Sequence, residues 1–367
     1  MNPDAKRFGT GTKFISVMDI LNNQYICYDN IRASVELQDG DIEAYGVNYG
    51  DILFQRSSET LEDIGRANVY LDSKPAIFGG FVIRGKSKDN YNPLFFRYLL
   101  ASPTARKRII VKGAGAQHFN IGQDALSKVF IDIPTLKEQK KIGKLLQCLD
   151  ERIATQNKII EDLKKLKSAI SKQVFAQEPN GWSRLDTLFS KGKAGGTPTS
   201  TNKEYYNGEI PFLSINDITK QGKYVRYTEN HLSQSGLENS SAWVVPKYSL
   251  IMSMYASVGL VTINEIPITT SQAMFAMQLK DKDLLDYLYY YLSYFKYRHI
   301  HKYLETGTQS NINADIVRGI MIPTYGHSRN MEIASTLQGI DVKIDNELSV
   351  LKLFNRQKNY LLSQMFI

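Results

Sequence analysis

Two stretches of the chain place basic side chains directly before a loop rich in glycine, glutamine and asparagine. Residues 91–123 contain no Asp or Glu, lead into GAGAQHFN, and carry Arg97, Arg106, Lys107, Arg108 and Lys112. The second stretch leads into TGTQSN and, among seven tyrosines, carries Lys296, Arg298, His299, His301 and Lys302. Basic side chains bind phosphates, and loop amides pair with base edges. A basic face is usually only solvated, but its repetition beside the same kind of loop predicts DNA contact.

Motifs for catalysis do not accompany these stretches. The sequence contains no HExxH, GxSxG or P-loop motif, and Asn92-Pro-Leu-Phe95 lacks the second proline of the amino-methyltransferase motif. Asn92-Pro93 instead predicts a helix start. We expect no catalytic residue, metal site or cofactor in this chain. Two alternatives stay open at this point: a self-sufficient DNA methyltransferase or nuclease, and a coiled-coil adaptor without a DNA role.

The composition fits a soluble protein of the reducing cytoplasm. The 367 residues carry 45 Lys and Arg against 37 Asp and Glu, a formal net charge of +8 that makes nucleic acid a candidate partner. Cys27 and Cys148 are too few for a disulfide framework, the start MNPDAKRFGT is no signal peptide, and no apolar run is long enough to span a membrane. The 22 tyrosines favour amphipathic packing over nucleic-acid contact.

The sequence contains one unit written twice. FISVMDI at 14–20 matches FLSINDI at 212–218, a shift of 198 positions, and Glu138–Phe175 matches the chain end with a shift of 191. The predicted order is therefore domain, helix, domain, helix. The boundaries fall at 1–135, 136–178, 179–325 and 326–367. Strands are predicted at segments such as AIFGGFVI, YSLIMSMY and Trp243-VV, and a helix from Pro93 is predicted to extend through Arg108.

Both predicted long helices carry apolar residues in alternating steps of three and four, the seam of a coiled coil. In the first helix the apolar seam positions are Ile142, Leu146, Leu149, Ile153, Ile160 and Leu163, and in the second they are Ile333, Leu337, Ile340, Ile344, Leu351 and Phe354. Polar residues interrupt both seams at equivalent places, Lys167 with Lys358 among them. Shared interruptions indicate helices that pair with each other. Thr135 and Glu138 predict a capping box at the first helix, and Gly143 and Gly339 predict frayed first turns.

Three segments resemble the specificity subunit of type I restriction-modification systems. They are KGKAGGTPTSTNKEYYNGEIPFLSINDI at 191–218, TGTQSNI followed by IMIP, and EQKKIGKLLQCLDERI at 138–153. The resemblance covers nearly the whole chain. It implies an α+β fold: two mixed α/β target-recognition domains in a pseudo-two-fold repeat, joined by two long antiparallel coiled-coil helices. Each domain is expected to read one half of a bipartite double-stranded DNA target.

The resemblance also implies partners and contact residues. Two methyltransferase subunits would carry S-adenosylmethionine, and a restriction subunit would use ATP and Mg. First-half DNA contacts would fall on Arg56, Ser57, Lys112, Gln117, His118 and Asn120. Second-half contacts would fall on Lys193, Gly195, Gly196, Thr197, Asn216, Tyr255, Ser257, Lys302, Thr308, Gln309 and Asn311. We expect Gln309→Ala to change the sequence that is bound and Lys302→Ala to weaken binding to all sequences.

The first half departs from the second at one place. If the shift of 198 holds to the start, Met1 lies opposite Thr199, so Trp182–Pro198 has no first-half counterpart. We therefore expect either that the chain lacks part of its first recognition domain or that this domain is reduced.

Overall fold

The chain forms two units, each built from a domain and one half of each long helix. The computed structural model describes residues 4–115, 118–303 and 311–366. Unit 1 comprises Met1–Lys158 and Leu348–Ile367, and unit 2 comprises Ile159–Glu347. The units thus divide the two long helices internally, whereas the sequence-based boundaries lie at the helix ends.

Unit 1 is a mixed α/β domain. Its strands are β1 (Phe8–Ile15), β2 (Ala33–Val35), β3 (Gly46–Val47), β4 (Ile52–Gln55), β5 (Ser57–Ser58), β6 (Ala67–Val69), β7 (Ala76–Phe78), β8 (Val82–Gly85) and β9 (Phe119–Asn120). Its helices are α1 (Val17–Asn22), α2 (Asp41–Tyr45), α3 (Pro93–Leu99), α4 (Pro103–Ile110), α5 (Gln123–Leu126) and the start of α6 (Leu136–Phe175). Short 3-10 turns lie at Ala5–Arg7, Tyr28–Asn30 and Leu61–Asp63.

The strands of unit 1 form small sheets in the orders β2-β1-β7-β3, β6-β4-β8 and β5-β9. β1 runs antiparallel to β2 and parallel to β7. Ile15, Leu53 and Tyr70 are fully buried in the core beside these strands. The helix predicted from Pro93 through Arg108 is two helices, because Ser102 caps α4 through a hydrogen bond from the Ala105 N–H and Pro103 begins the new helix.

Unit 2 repeats this plan with additional strands. Its strands are β10 (Gly181–Arg184), β11 (Phe189–Ala194), β12 (Tyr206–Leu213), β13 (Tyr224–Val225), β14 (Asn230–Leu232), β15 (Leu250–Ser253), β16 (Val261–Asn264), β17 (Thr269–Thr270), β18 (Met274–Leu279) and β19 (Met321–Thr324). Its helices are the end of α6, α7 (Leu185–Leu188), α8 (Ile215–Gln221), α9 (Gln234–Glu238), α10 (Leu285–Arg298), α11 (Ala314–Gly319) and the first half of α12 (His327–Gln364). Short 3-10 turns lie at Lys203–Tyr205, Lys282–Leu284 and Ile300–Tyr303.

The main sheet of unit 2 has the order β11-β18-β15-β16-β13, and a smaller sheet has the order β14-β12-β17. β10 pairs antiparallel with β19. The core lies between the main sheet and α10, where Met252, Phe275 and Leu288 are fully buried. The predicted strand at Trp243-VV is wrong: Val245 makes only an isolated bridge to Ile268.

The repeated FISVMDI and FLSINDI segments form the same local structure. Each segment leaves a strand and enters a short helix through a Ser-x-x-Asp capping box, Ser16 with Asp19 and Ser214 with Asp217. The Asp217 carboxylate accepts hydrogen bonds from the Ser214 N–H at 2.8 Å and from the Ser214 hydroxyl at 2.7 Å. The repeat is therefore a device that turns the chain from strand to helix.

α6 begins with the predicted capping box. The Thr135 N–H and hydroxyl donate to Glu138 Oε2 at 3.0 and 2.7 Å. Every predicted apolar seam residue of α6 and α12 is buried or half-buried. Within unit 1, Leu146 near the start of α6 packs with Phe366 at the end of the chain. Within unit 2, Val174 near the end of α6 packs with Ile333 near the start of α12. The two helices are therefore antiparallel.

Gly143 does not fray the first turns of α6. It is buried, and a Cβ at this position would lie 3.0 Å from Asn92 Oδ1 and 3.2 Å from the Phe95 N. Asn92 caps α3 by accepting a hydrogen bond from the Phe95 N–H, and its own N–H donates to Gln139 Oε1 on α6. The missing side chain lets α6 approach the start of α3 closely, so tertiary packing outweighs the low helix propensity of glycine.

The described residues of unit 1 include no counterpart of the two strands β10 and β11 of unit 2. Within the described parts of unit 1, β8 pairs only with β4, whereas β18 is flanked by both β11 and β15. Ile133 is 56% exposed, whereas its counterpart Ile322 in β19 is 3% exposed beside β10. The edge of unit 1 that corresponds to β10 and β11 is therefore uncovered within the described residues.

Candidate nucleic-acid interface

Strand register brings several loops of unit 2 to one end of the main sheet. Ala194 at the end of β11 and Met252 near the end of β15 both pair with Phe275 at the start of β18. The loops that follow β11 and β15 and the turn that precedes β18 therefore lie together. We call this end the loop face of unit 2; its predicted contact residues in the described chain are Lys193, Thr197, Asn216, Tyr255, Ser257 and Asn311.

Gly195 and Gly196 lie under the loop face instead of on it. Both are buried, and their N–H groups donate to Met274 O at 3.1 Å and to Thr270 O at 2.9 Å. A Cβ on Gly195 would lie 1.9 Å from Thr270 O. The prediction that these two glycines contact DNA is therefore corrected: they are small because the loop packs against β17.

Thr197 and Lys193 are the exposed members of the same segment. The Thr197 hydroxyl bonds to Gln272 Oε1 in the turn before β18, and Lys193 Nζ lies 3.4 Å from Ser241 O. Lys191, two residues earlier on β11, stacks its ammonium 4.3 Å from the Trp243 ring centre. Sequence reasoning missed Gln272 and the Lys191–Trp243 pair, because neither has a motif and both depend on which strands meet.

The loop after β15 projects Tyr255 and Ser257. Tyr255 is 40% exposed, and Ser257 has a positive φ of 47°. The loop is tied at its base, where the Ser253 hydroxyl donates to Ser257 O at 2.8 Å and the Ile312 N–H donates to Met254 O at 3.0 Å. The second bond places Asn311 beside this loop. A loop that is fixed at its base by hydrogen bonds and carries exposed polar side chains is suited to base recognition.

Asn216 follows β12, which runs parallel to β17 with Leu213 opposite Thr270. It is exposed, and its amide donates to Glu229 Oε2 at 3.1 Å. Glu229 also forms an ion pair with Lys220, which lowers the pKa of the Glu229 carboxyl. To bond to a base edge, the Asn216 amide would therefore have to give up its hydrogen bond to the Glu229 carboxylate.

Unit 1 gathers its predicted residues in the equivalent place. β5 pairs with β9 with Ser57 opposite Asn120, and the Ser57 hydroxyl donates to the Asn120 side chain. Arg56 is exposed, and its N–H donates to Phe81 O. Lys112 and His118 are exposed at the two ends of the loop closed by the Ala114–Asn120 bridge. Phe81, 65% exposed at this end of β8, is a further candidate that the sequence did not single out.

Three predicted residues, Gln117, Thr308 and Gln309, lie outside the described residues. Lys302 is described and exposed, in the 3-10 turn after α10. We call the group of Arg56, Ser57, Lys112, His118 and Asn120 the loop face of unit 1; their contact with DNA stays a prediction.

Three arginines in the basic stretch of unit 1 donate to main-chain carbonyls, a structural use that the sequence did not reveal. Arg97 Nε donates to Gln24 O at 2.8 Å. Arg106 Nη2 donates to Ile64 O at 2.6 Å and to Glu62 O, and burial lowers its pKa. Arg108 donates to Phe130 O. Lys107 and Lys112 remain exposed. Arg97 and Arg108 each use one of the five guanidinium N–H donors in these bonds, so the bonds stabilise the fold while a phosphate contact stays a prediction.

The tyrosines of α10 are mostly core residues, as amphipathic packing predicts. The Tyr287 and Tyr291 hydroxyls donate to Pro323 O at 2.6 Å and Met321 O at 3.0 Å. Tyr297 is 78% exposed. His299 packs against the rings of Tyr294 and Phe295, and burial is the largest cause that lowers its pKa. The phosphate contact expected of His299 stays a prediction.

No group of three or more His, Cys, Asp or Glu side chains among the described residues is arranged to hold a metal ion. The helices of the described chain also include none that is long and apolar enough to cross a membrane.

Comparisons with known proteins agree with this architecture. The family model for the type I restriction modification DNA specificity domain matches residues 1–165 and 179–351. A Methanocaldococcus jannaschii protein, named as the MjaX specificity subunit of a type I restriction enzyme, is 26% identical over 335 residues, covering 84% of this chain and 76% of that protein. The HindI specificity subunit of Haemophilus influenzae is 32% identical over 113 residues, covering 30% of this chain and 24% of that protein.

Solved structures share the fold at low sequence identity. The crystal structure of an S subunit from M. genitalium has a TM-score of 0.55 at 14% identity, covering 99% of this chain and 94% of that one. A chain from a study of complex assembly in the type I R-M system has a TM-score of 0.58 at 15% identity, covering 97% and 94%. Because the family model matches both halves, the chain belongs to the type I restriction-modification DNA specificity family.

Proposed function

We propose that this chain is the subunit that reads a bipartite DNA target, one half at the loop face of each unit. The observation that carries the proposal is the recurrence of the loop face. In unit 1, Arg56 and Ser57 follow β4 and Ser57 lies opposite Asn120, and in unit 2 Tyr255 and Ser257 follow β15 beside Asn311. Exposed lysines such as Lys112 and Lys193 supply attraction to phosphate, which is independent of sequence.

We infer that base choice rests on the polar loop residues and affinity on the lysines. Amide and hydroxyl groups form directional bonds with base edges in the major groove, whereas an ammonium group bonds equally well to any phosphate. Tyr255 and Asn311 are the described candidates for base contact in unit 2. Lys193 and Lys302 are the candidates for phosphate contact.

Catalysis is proposed to reside in partner proteins. Two methyltransferase subunits would bind S-adenosylmethionine, and a restriction subunit would use ATP and Mg. The antiparallel helices would hold these partners, and support for assembly comes from the similar type I R-M chain that was solved in a study of complex assembly. In this proposal the chain contributes target choice and no chemical step.

The proposal is tested by binding to duplexes that carry the target or a single mismatch, at fixed salt. Tyr255→Ala is expected to lower the ratio of matched to mismatched affinity by about tenfold, the scale of one base contact. Lys193→Ala is expected to weaken both duplexes alike and to reduce the salt slope by about one.

Tyr227→Ala is the matched control. Tyr227 is 55% exposed in the same unit but follows β13, at the opposite end of the main sheet from the loop face. It is expected to leave both affinities unchanged. If Tyr255→Ala and Tyr227→Ala have the same effect, or if Tyr255→Ala weakens both duplexes equally, the loop face of unit 2 does not read bases.

A further inference from the structure

A buried Tyr–Asp–Lys contact joins three elements of unit 1. The Tyr98 hydroxyl on α3 donates to Asp150 Oδ2 on α6 at 2.9 Å. Lys358 Nζ on α12 lies 2.5 Å from Asp150 Oδ1. Tyr98 is 2% and Asp150 is 9% exposed. One carboxylate therefore ties the recognition domain to both long helices at once.

Unit 2 contains the same contact. The Tyr290 hydroxyl on α10 donates to Asp341 Oδ2 on α12 at 2.8 Å, and Lys167 Nζ on α6 lies 2.5 Å from Asp341 Oδ1. Asp341 follows Asp150 by 191 positions, as Lys358 follows Lys167, and the helices have exchanged roles. Each recognition domain is thus tied by a tyrosine to an aspartate on one helix, and that aspartate is paired with a lysine on the other.

The three groups of each contact can meet in only one register of α6 against α12 and one position of the domain on these helices. The remaining apolar seam positions accept neighbours at any heptad shift, because one aliphatic residue packs much like another. A shifted Asp150 would face Leu351 or Met365, seven positions to either side of Lys358, and would be a buried charge without a partner. Polar groups at a seam are the best-attested device for fixing register. Here the tyrosine hydroxyl also bonds to the aspartate, so the same polar group fixes the position of the domain on the helices.

We propose that the two Tyr–Asp–Lys contacts fix the permitted gap between the half-sites, without touching DNA. The inference rests on the proposed bipartite function. Each contact holds one recognition domain at one position and angle on the helices of its own unit. One added base pair changes the separation of half-sites by about 3.4 Å and their phase by about a tenth of a turn. A domain that can shift on its helices can bind a duplex with an altered gap, whereas a domain held by the Tyr–Asp–Lys contact cannot.

The test measures binding of the full chain, with its methyltransferase partner, to duplexes whose gap is native or one base pair longer or shorter. The double variant Tyr98→Phe/Tyr290→Phe removes only the two hydroxyls. We expect the preference for the native gap to fall about tenfold, the scale of a hydrogen bond to a charged group. The preference for correct half-site bases is expected to stay unchanged.

Two further variants separate this role from general stability. Lys358→Met is expected to lower the gap preference, whereas Lys358→Arg, which retains the ion pair, is expected to restore it. Lys165→Met removes an exposed ion pair with Glu161 within α6 and is the matched control. Thermal unfolding checks that each variant is folded.

An unchanged gap preference in the folded tyrosine double variant overturns the inference, even if the melting temperature falls. An equal loss in Lys165→Met also overturns it, because any weakened helix would then suffice. Failure of the proposed function is distinguishable: the unaltered chain would then show no preference for a bipartite target at any gap.

Discussion

Two helical glycines with the same intrinsic propensity are expected to respond to alanine in opposite directions. In the middle of a helix, glycine costs about 1 kcal/mol relative to alanine. A Cβ on Gly339 of α12 would meet no atom within 4 Å, so Gly339→Ala gains that amount in full. A Cβ on Gly143 would lie 3.0 Å from Asn92 Oδ1 and 3.2 Å from the Phe95 N, within the hydrogen bond that caps α3.

The cost at Gly143 follows from these contacts. Overpacking costs about 1–3 kcal/mol, and a disturbed N-cap costs about 1 kcal/mol. Set against a gain of about 1 kcal/mol from helix propensity, Gly143→Ala is expected to destabilise unit 1 by about 1–3 kcal/mol. The two variants should therefore differ by about 2–4 kcal/mol in the free energy of unfolding.

Urea unfolding followed by far-UV circular dichroism measures this difference. Both tryptophans, Trp182 and Trp243, lie in unit 2, so their fluorescence does not report unit 1. Hydrogen exchange of the amides in the first turns of α6 adds a local measurement, which Gly143→Ala should accelerate. Equal stabilisation by the two substitutions would refute the packing argument and return Gly143 to the role of an ordinary weak helix former.

Three other predictions concern the cap, the arginines and the tyrosines. Asp217→Ala should destabilise unit 2 by about 2 kcal/mol, measured by urea unfolding, because three donors lose their acceptor and Asp217 is fully buried. Arg106→Ala should lower the melting temperature because carbonyls lose a donor, whereas exposed Lys107→Ala should leave it unchanged; equal effects would contradict this assignment. Burial raises the pKa of Tyr287 and Tyr290 above the ordinary 10.0, so their neutral forms stabilise the fold below pH 10. Stability should fall as the pH rises above 10, and Tyr287→Phe should reduce this slope in thermal melts.

Much of the fold follows from patterns that the sequence displays directly. The repeated FISVMDI and FLSINDI segments indicate two domains because a capping box needs particular residues at Ser16, Asp19, Ser214 and Asp217. The seam spacing predicts α6 and α12 because burial of one helical face requires that period. The sequence also shows no first-half counterpart of Trp182–Pro198, and within the described residues of unit 1 β8 pairs only with β4.

The candidate site could be predicted only in part, because the residue type does not reveal whether a side chain contacts the rest of the fold or faces solvent. Arg97 and Arg106 belong to an acid-free basic stretch, yet their guanidinium groups end on main-chain carbonyls. Gly195 belongs to a motif that resembles a reading loop, yet β17 occupies the space where its side chain would be. Gln272 reaches the loop face only through strand pairing, a long-range contact that local patterns do not encode.

The central claim is that the chain chooses a two-part DNA sequence for methyltransferase partners. Methylome sequencing tests it most directly, in cells that express the partner methyltransferase with and without this chain. The account predicts that one bipartite motif with a fixed gap is methylated only when the chain is present. Methylation that is unaffected by the chain, or a single uninterrupted motif, would contradict it.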